Sequence, residues 1–384
     1  MALAFIDLLA QRRRIGDKID AAVAKVLAEG RYILGPEVAE LEKRLSAYCG
    51  AAHALACANG TDALALPLMA WGARPKHAIF CPSFTFASTA EVIPWLGSQA
   101  VFVDVLPDTY CLDPAHLEAS LKAVVDAGEL EPLAVIAVDL FGQPADYPAI
   151  ADICQRYGVK LIADSAQGFG ATLNGAHPID WADVVTTSFY PAKPLGCYGD
   201  GGAVLTNDTA LHDLLDSLHV HGKVTPADLK GASFDHDPKY MSMRIGMNSR
   251  LDTIQAAVLL EKLAVFEDEI RMRNAVAERY NEKLQADVSR VPRVIEGGTS
   301  VWAQYVIEHQ ERDKLQAHLR ENGVPTAVYY PVPMHLQPPY RRFASGPGGL
   351  PVTEAAMGTV LALPMHPDLT PEDQDIVIDA IKRF

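Results

Sequence analysis

Residues 160–206 read KLIADSAQGFGATLNGAHPIDWADVVTTSFYPAKPLGCYGDGGAVLT. Three short apolar runs in this stretch are separated by connections rich in glycine, proline and aspartate: Lys160–Asp164, Asp183–Ser188 and Gly202–Thr206. Apolar runs of this length between such residues are typical of buried β-strands. The stretch therefore predicts three strands of one sheet, joined by loops that can carry polar side chains.

The same pattern extends towards the N-terminus. Further strand candidates are His77–Cys81, Ala100–Val105 and Leu133–Asp139, and helical patterns at Leu117–Ala127 and Tyr147–Tyr157 separate several of them. Strands that alternate with helices indicate βαβ units and a mostly parallel sheet with both faces covered by helices. We therefore predict an α/β fold for this part of the chain.

The two ends of the chain do not show this alternation of strands and helices. Helices are predicted at residues 15–29 and Glu37–Cys49, and the stretch Ser249–Leu284 reads as one long helical region. A smaller α+β region is then predicted from these segments: Trp302–Ile307 as a strand, Arg312–Glu321 as a helix, Thr326–Tyr330 as a strand and Pro371–Lys382 as a helix. We expect two units, residues 1–248 and residues 249–384, with residues 223–239 as a polar surface loop.

Composition excludes several classes of function. The 384-residue chain has a formal net charge of −15, which argues against a general nucleic-acid surface, and Arg12 to Arg14 are expected on an exposed face of the first helix. The N-terminus does not resemble a secretory signal, and no apolar run is long enough to span a bilayer. The six cysteines form no C-x-x-C pair, which predicts neither a zinc site nor a disulfide framework. These features favour a cytoplasmic protein.

Lys193 lies in the Pro- and Gly-rich loop between two predicted strands. Lysine is costly to bury unless it has a partner or a chemical role, and a desolvated lysine amine is a nucleophile towards carbonyl groups. The alternative is an exposed loop lysine. The segment by itself leaves both interpretations open.

Asp164 ends an apolar strand, and Gln167 follows three residues later. Ligands of parallel α/β sheets bind at the carboxyl ends of the strands, where a carboxylate can hold a pyridinium nitrogen protonated. The alternative is that Asp164 caps a following helix. Gly60 and Thr61 precede a helical stretch, and the N–H groups at a helix start can bind phosphate, although any helix start has this appearance.

Two further residues are candidates for binding. Phe86 stands near a strand end, where its ring could stack on a planar ligand or pack in the core. Arg250 precedes the long helical stretch and could pair with a phosphate or a carboxylate, or lie on the surface. A dinucleotide site is not supported, because Gly168 and Gly170 begin a G-x-G pattern that Leu173 breaks.

Taken in order, these segments resemble the DegT/DnrJ/EryC1/StrS family of sugar aminotransferases, over nearly the whole chain. The resemblance runs from Phe5–Leu8 and Ile33–Pro36 through the Lys193 loop to Tyr329–His335. It implies the fold-type-I aminotransferase architecture, with a mostly parallel seven-stranded sheet flanked by helices and a smaller C-terminal α+β domain. It also implies pyridoxal 5'-phosphate as cofactor and a homodimer whose active site is shared between subunits.

The resemblance assigns a role to each candidate residue. Lys193 becomes the lysine that forms the Schiff base, and Asp164 pairs with the pyridine nitrogen of the cofactor. It implies that Gln167 hydrogen-bonds the phenolic oxygen of the cofactor and that Phe86 stacks on its ring. The implied phosphate ligands are Gly60, Thr61, Ser188 and, from the partner subunit, Asn248.

Within the family, the chain is most similar to the branch that aminates UDP-2-acetamido-2-deoxy-3-keto-glucuronate at C3 with L-glutamate as donor. In that branch the residue at Arg250 meets the sugar carboxylate, and Tyr330 faces the substrate with Tyr329 beside it. Tyr329 stands where a histidine is common, and the stretch between His221 and Ile245 is longer than in close relatives. A C4 or a dTDP-linked C3 aminotransferase of a keto-6-deoxy sugar is the alternative.

Two other classes of function have less support. Dehydratase relatives replace the Schiff-base lysine by histidine, so the presence of Lys193 argues against a dehydratase or a non-catalytic binding protein. A nicotinamide-dependent oxidoreductase has little support once the glycine fingerprint fails. The sequence therefore predicts an enzyme that binds a nucleotide sugar, with no nucleic-acid or membrane partner and no metal ligands.

Overall fold

The computed structural model describes residues 3–230, 237 and 240–384. The helices are α1 (Leu8–Glu29), α2 (Pro36–Cys49), α3 (Gly60–Ala70), α4 (Ala87–Trp95), α5 (Pro114–Ala127), α6 (Tyr147–Tyr157), α7 (Thr209–Leu218), α8 (Thr253–Leu263), α9 (Phe266–Leu284), α10 (Arg312–Glu321), α11 (Pro351–Thr359) and α12 (Pro371–Lys382). The strands are β1 (His53–Cys57), β2 (His77–Pro82), β3 (Gln99–Val103), β4 (Glu131–Val138), β5 (Lys160–Asp164), β6 (Thr172–Leu173), β7 (Val184–Ser188), β8 (Gly202–Thr206), β9 (Gly298–Thr299), β10 (Tyr305–Glu308), β11 (Ala344–Ser345) and β12 (Val360–Leu363).

The main sheet has the strand order β1-β8-β7-β5-β4-β2-β3-β11. Among these strands β8 alone runs in the opposite direction, antiparallel to β1 and β7, and the other pairs are parallel, so the predicted mostly parallel α/β sheet is confirmed. The central strands are buried on both faces, as expected for a sheet covered by helices on each side. The predicted seven strands are joined by an eighth, the two-residue β11, which the C-terminal part of the chain places beside β3.

The long helical stretch predicted at Ser249–Leu284 is wrong in one respect, because it is two helices. The chain leaves helical geometry at Val265, where φ is −116° and ψ is 4°. Three acidic residues occupy the first turn of α9, and carboxylates favour a helix N-terminus over a helix interior. Arg250 consequently lies before α8 and outside the helix.

The strand predicted at Thr326–Tyr330 is also wrong. A single antiparallel bridge joins Ala327 to Ala362, and no strand forms in that range. Prolines at positions 325 and 331 flank the range, and proline cannot donate a hydrogen bond to a continuing ladder. The strand predicted at Trp302–Ile307 is shorter than expected and begins at Tyr305.

The first helix starts earlier than predicted, because the side chain of Asp7 caps it by accepting the N–H of Ala10 at 2.9 Å. Of the three arginines expected on its exposed face, Arg13 and Arg14 are exposed and Arg12 is part-buried; Arg14 also pairs with the buried Glu269. No helix in the described part of the chain is long and apolar enough to cross a membrane. Residues 231–236 and 238–239 of the predicted polar loop lie outside the described residues, and the division between residues 1–248 and 249–384 stays a prediction.

Candidate active site

Three loops meet at one edge of the main sheet. Strands β5 and β7 are parallel neighbours, so Asp164 and Ser188 both end at this edge. Because β8 is antiparallel, it begins there: Gly202 pairs with Ser188 on one side and with Cys57, the end of β1, on the other. The segments after β1, β5 and β7 therefore converge, as the strand-end argument predicts.

Asp164 is buried at the end of β5, with 4% of its surface exposed. One carboxylate oxygen accepts a hydrogen bond from Thr89 Oγ1 at 2.9 Å, and the other accepts the N–H of Ala166 at 3.2 Å. Burial raises the pKa of Asp164, and the two hydrogen bonds oppose that rise. A turn rather than a helix follows at residues 166–170, so the helix-capping alternative is wrong.

Lys193 lies in a tight turn after β7, in which its N–H donates to the carbonyl of Tyr190 at 2.8 Å. The residue is part-buried. Desolvation of its amine lowers the pKa of Lys193, while the negative charge of Asp164 acts in the opposite direction. The exposed-loop alternative is therefore wrong, and the amine has the desolvated environment that favours a nucleophilic lysine.

The start of α3 has backbone N–H groups that could hold an anion. Asn59 caps this helix by accepting the N–H of Asp62 at 2.8 Å through its side chain and that of Ala63 at 3.1 Å through its carbonyl. The first N–H groups of a helix have no partner within it, so those of Gly60 and Thr61 remain as donors for an anion. A Cβ atom at Gly60 would lie 2.6 Å from Ser188 Cβ, which shows how closely the two loops approach.

Hydroxyl groups add to this anion site. Thr61 Oγ1 is 2.8 Å from Ser88 Oγ, and Ser88 belongs to the first turn of α4. Phe86, directly before α4, is 57% exposed, so its ring is not part of the core of this chain. Neither Ser88 nor Thr89 was anticipated from the sequence; their position at a helix start two and three residues after Phe86 is the signal that could have pointed to them.

Gln167 and Tyr330 are in contact. The Gln167 amide nitrogen donates to the Tyr330 hydroxyl at 3.0 Å, and its carbonyl oxygen accepts the N–H of Phe141 at 2.9 Å. The Tyr330 ring packs edge-on against Phe84 at 6.0 Å, and burial raises the pKa of Tyr330. Tyr329 is part-buried beside it. The segment from the C-terminal part of the chain is thus joined to the turn after β5.

The segment that carries Asn248 and Arg250 lies beside the loop after β1. Ser249 Oγ accepts the N–H of Ala58 at 3.2 Å, two residues before Gly60. Asn248 is exposed and Arg250 is part-buried. No hydrogen bond or ion pair between described residues joins Arg250 to Asp164.

A desolvated amine, a buried carboxylate and an anion-binding helix start thus share one sheet edge. This combination fits a phosphorylated aldehyde that carries a basic ring nitrogen. The amine can bond the aldehyde carbon, the carboxylate can pair with the protonated nitrogen, and the helix start can hold the phosphate. The described residues contain no group of three or more His, Cys, Asp or Glu side chains arranged to hold a metal ion.

Comparison with known proteins gives one consistent family. Residues 13–382 match the model of the DegT/DnrJ/EryC1/StrS aminotransferase family. The UDP-2-acetamido-2-deoxy-3-oxo-D-glucuronate aminotransferase of Pseudomonas aeruginosa is 44% identical over 377 residues, which cover 98% of this chain and 99% of that protein. The dTDP-3-amino-3,4,6-trideoxy-alpha-D-glucose transaminase of Streptomyces venezuelae is 35% identical over 99% of this chain and 95% of its own.

Solved structures agree with this result. A DegT DnrJ EryC1 StrS aminotransferase from Brucella abortus superposes with a TM-score of 0.94 at 52% identity, covering 99% of both chains. NtdA from Bacillus subtilis, described with bound cofactor PMP, superposes with a TM-score of 0.83 at 28% identity, covering 99% of this chain and 82% of its own.

Proposed function

Because the chain belongs to the DegT/DnrJ/EryC1/StrS aminotransferase family and is a pyridoxal 5'-phosphate-dependent sugar-nucleotide aminotransferase, we propose that it aminates UDP-2-acetamido-2-deoxy-3-keto-glucuronate at C3. L-Glutamate is the proposed amino donor. The observation that carries the proposal is the shared sheet edge, which holds the desolvated amine of Lys193 and the buried carboxylate of Asp164. The 44% identity over nearly all of both chains to the P. aeruginosa enzyme supports this acceptor.

Bound pyridoxal 5'-phosphate supplies an aldehyde that takes up an amino group and a ring that delocalises the electron pair of a deprotonated carbon. Lys193 Nζ is the group proposed to bond that aldehyde in the resting enzyme. Once free, this amine would serve as the base for the α-proton of L-glutamate and would hold that proton as an ammonium group. The lowered pKa of Lys193 supports this role, because a neutral amine is the form that accepts a proton.

Asp164 is proposed to hold the ring nitrogen protonated. Burial raises the cost of an isolated carboxylate, and an adjacent pyridinium would repay part of that cost. Thr89 donates to one Asp164 oxygen and so fixes the orientation of the carboxylate. Gln167 is proposed to donate to the phenolic oxygen of the cofactor, and Phe86 to stack on its ring.

The phosphate is proposed to lie at the start of α3. Gly60 and Thr61 supply N–H groups, and Thr61 and Ser188 supply hydroxyls from the loops that converge there. Asn248 of the partner subunit is proposed to complete the site. The distribution of apolar side chains supports a homodimer, because several large apolar side chains of the described chain are exposed: Tyr32, Ile33, Leu34, Phe86, Tyr190 and Tyr198.

Arg250 is proposed to bind the acceptor carboxylate across this homodimer interface, with Tyr329 and Tyr330 on the sugar side. A cytoplasmic location and a role in bacterial surface-polysaccharide biosynthesis, including lipopolysaccharide, are further parts of the proposal. The six cysteines are unpaired, which agrees with a reducing compartment. Amination at C4, or at C3 of a dTDP-linked keto-6-deoxy sugar, is the second candidate. The identity to the S. venezuelae transaminase supports its dTDP-linked C3 form.

Replacing Arg250 by alanine is expected to raise KM for the 3-keto-glucuronate acceptor by about 10- to 100-fold, the size of one lost charge-assisted interaction. An otherwise similar acceptor that lacks the carboxylate should show little change. Arg250→Lys keeps the charge but cannot pair with a carboxylate in a bidentate way. Its KM should lie between those of wild type and Arg250→Ala. Steady-state kinetics with both acceptors measures this. Equal KM values for wild type and Arg250→Ala would contradict the uronate assignment.

The acceptor itself is best identified from the half-reaction. Protein loaded with pyridoxamine 5'-phosphate is mixed with a panel of UDP- and dTDP-linked keto sugars, and the return of the pyridoxal absorbance is recorded. The UDP-linked 3-keto-glucuronate is expected to restore it fastest, with a 3-amino product of matching mass. A response confined to 4-keto-6-deoxy or dTDP-linked acceptors would move the assignment to the second candidate.

A further inference from the structure

A second lysine lies under the loop that carries Lys193. Lys262, at the end of α8, is 2% exposed and donates a hydrogen bond from Nζ to the carbonyl oxygen of Gly196 at 2.6 Å. The same ammonium lies 4.5 Å from the centre of the Tyr198 ring. Gly196 and Tyr198 follow Lys193 by three and five residues. The ammonium group of Lys262 therefore contacts two residues at the C-terminal end of this loop.

Other hydrogen bonds also restrain this end of the loop, among them one from the N–H of Tyr198 to Gln255 Oε1, also on α8, at 2.8 Å. The N–H of Lys193 donates to Tyr190, and the N–H of Cys197 donates to Phe189 at 2.7 Å, which closes the turn on itself. A Cβ atom at Gly196 would lie 2.5 Å from the Pro191 oxygen, so the backbone is already packed tightly inside the turn. The Gly196 oxygen is left to bond outwards, and Lys262 is its partner.

Polar groups near Lys262 stabilise the charged form of its side chain. A cavity of about 20 Å³ next to it, large enough for one water molecule, is also lined by Lys193, Gly196 and Glu269. Glu269 is 2% exposed and bonded by Gln11 at 2.9 Å. Burial lowers the pKa of Lys262 to about 8, and the charge of Glu269 opposes that shift.

The same cavity is lined by three buried atoms without a hydrogen-bond partner among the described residues. They are Arg273 Nε, His366 Nδ1 and Asp368 Oδ2. The cavity is therefore polar, and it gives Lys262 surroundings in which a buried ammonium can persist.

We propose that Lys262 is a positioning residue, which holds the Gly196 end of the loop so that the amine of Lys193 meets the cofactor aldehyde. The role rests on the proposed function of Lys193. Lys262 acts through the backbone and touches neither cofactor nor substrate. Burying an ammonium group is costly, and a structural loop alone could be held by an apolar side chain at the same position.

The test compares Lys262→Met with Arg312→Met. Arg312 is likewise buried and donates from Nη1 to a backbone carbonyl, that of Val360 at 3.1 Å, but it lies in the C-terminal part of the chain. Each apo-protein is mixed with pyridoxal 5'-phosphate, and the rate and affinity of covalent attachment are followed by visible absorbance. Thermal unfolding of the apo-proteins measures the general loss of stability.

Attachment is expected to slow by about tenfold in Lys262→Met, the size of one lost hydrogen bond to a charged group, and to keep the wild-type rate in Arg312→Met. Lys262→Leu, which also removes the donor to Gly196, carries the same comparison should the methionine variant not fold. Wild-type attachment in the Lys262 variant, or equal slowing in both variants, would overturn the positioning role. Absence of attachment in the wild type would instead refute the proposed function of Lys193.

Discussion

Lys193→Ala is expected to lower transamination by about 10⁴-fold or more, because it removes both the covalent anchor for the aldehyde and the amine that moves the proton. The loop should keep its fold, since its hydrogen bonds at this residue use the backbone N–H. The variant should still bind pyridoxamine 5'-phosphate. Steady-state turnover with glutamate and the keto-sugar measures the first effect, and equilibrium binding measures the second.

The matched control is Lys314→Ala. Lys314 is exposed in α10 and pairs with Glu311, so its loss should leave turnover at the wild-type level. Borohydride reduction of the wild-type holoenzyme, followed by peptide mapping, should place the cofactor mass on Lys193. Wild-type turnover in Lys193→Ala, or a cofactor mass on another side chain, would remove the basis of the proposed mechanism.

Asp164→Asn is expected to reduce turnover by about 10²- to 10³-fold, the usual effect of removing one preorganised electrostatic partner of the reacting group. Asparagine can still accept from Thr89, so the local fold should survive. The neutral amide cannot hold the ring nitrogen protonated, and the loss should appear in kcat. Visible absorbance should show that the cofactor remains attached to Lys193.

Asp139→Asn provides the comparison. Asp139 directly follows the neighbouring strand β4, is fully buried and accepts hydrogen bonds from Tyr147 Oη at 2.6 Å and Ser165 Oγ at 2.5 Å. Burial raises the pKa of Asp139 to about 7, and the hydrogen bonds from Ser165 and Tyr147 oppose that rise. This variant should change stability more than turnover. A similar fall in kcat for both variants would show that Asp164 acts only through packing.

Some elements could be predicted to the residue because their limits are local. Helix α6 ends at Tyr157, since Gly158 takes the left-handed conformation with φ of +66°. Strand β5 ends at Asp164, where the apolar run stops. Strand β1 was missed: its sequence HALAC has weak β-propensity, and it becomes a strand through its pairing with β8.

The candidate site also has a part that could be predicted from the sequence and a part that could not. The sheet topology places Asp164 and the Lys193 loop at one edge, which alternating strands and helices could predict. The contacts that orient them could not be predicted, because they join distant parts of the chain: Thr89 to Asp164, and Lys262 to Gly196. In the sequence Lys262 is an ordinary lysine near the end of an amphipathic helix, and only the tertiary structure shows that it is buried.

Strand β11 has a consequence for the integrity of the molecule. Its two residues, with the N–H of Gly346 donating to Phe102 at 2.9 Å, cover the outer side of β3. A chain cleaved before residue 344 would uncover a row of unpaired backbone groups on an apolar strand. Uncovered edges of this kind recruit strands from other molecules, so proteolysis there would favour self-association into insoluble material even with the catalytic edge intact.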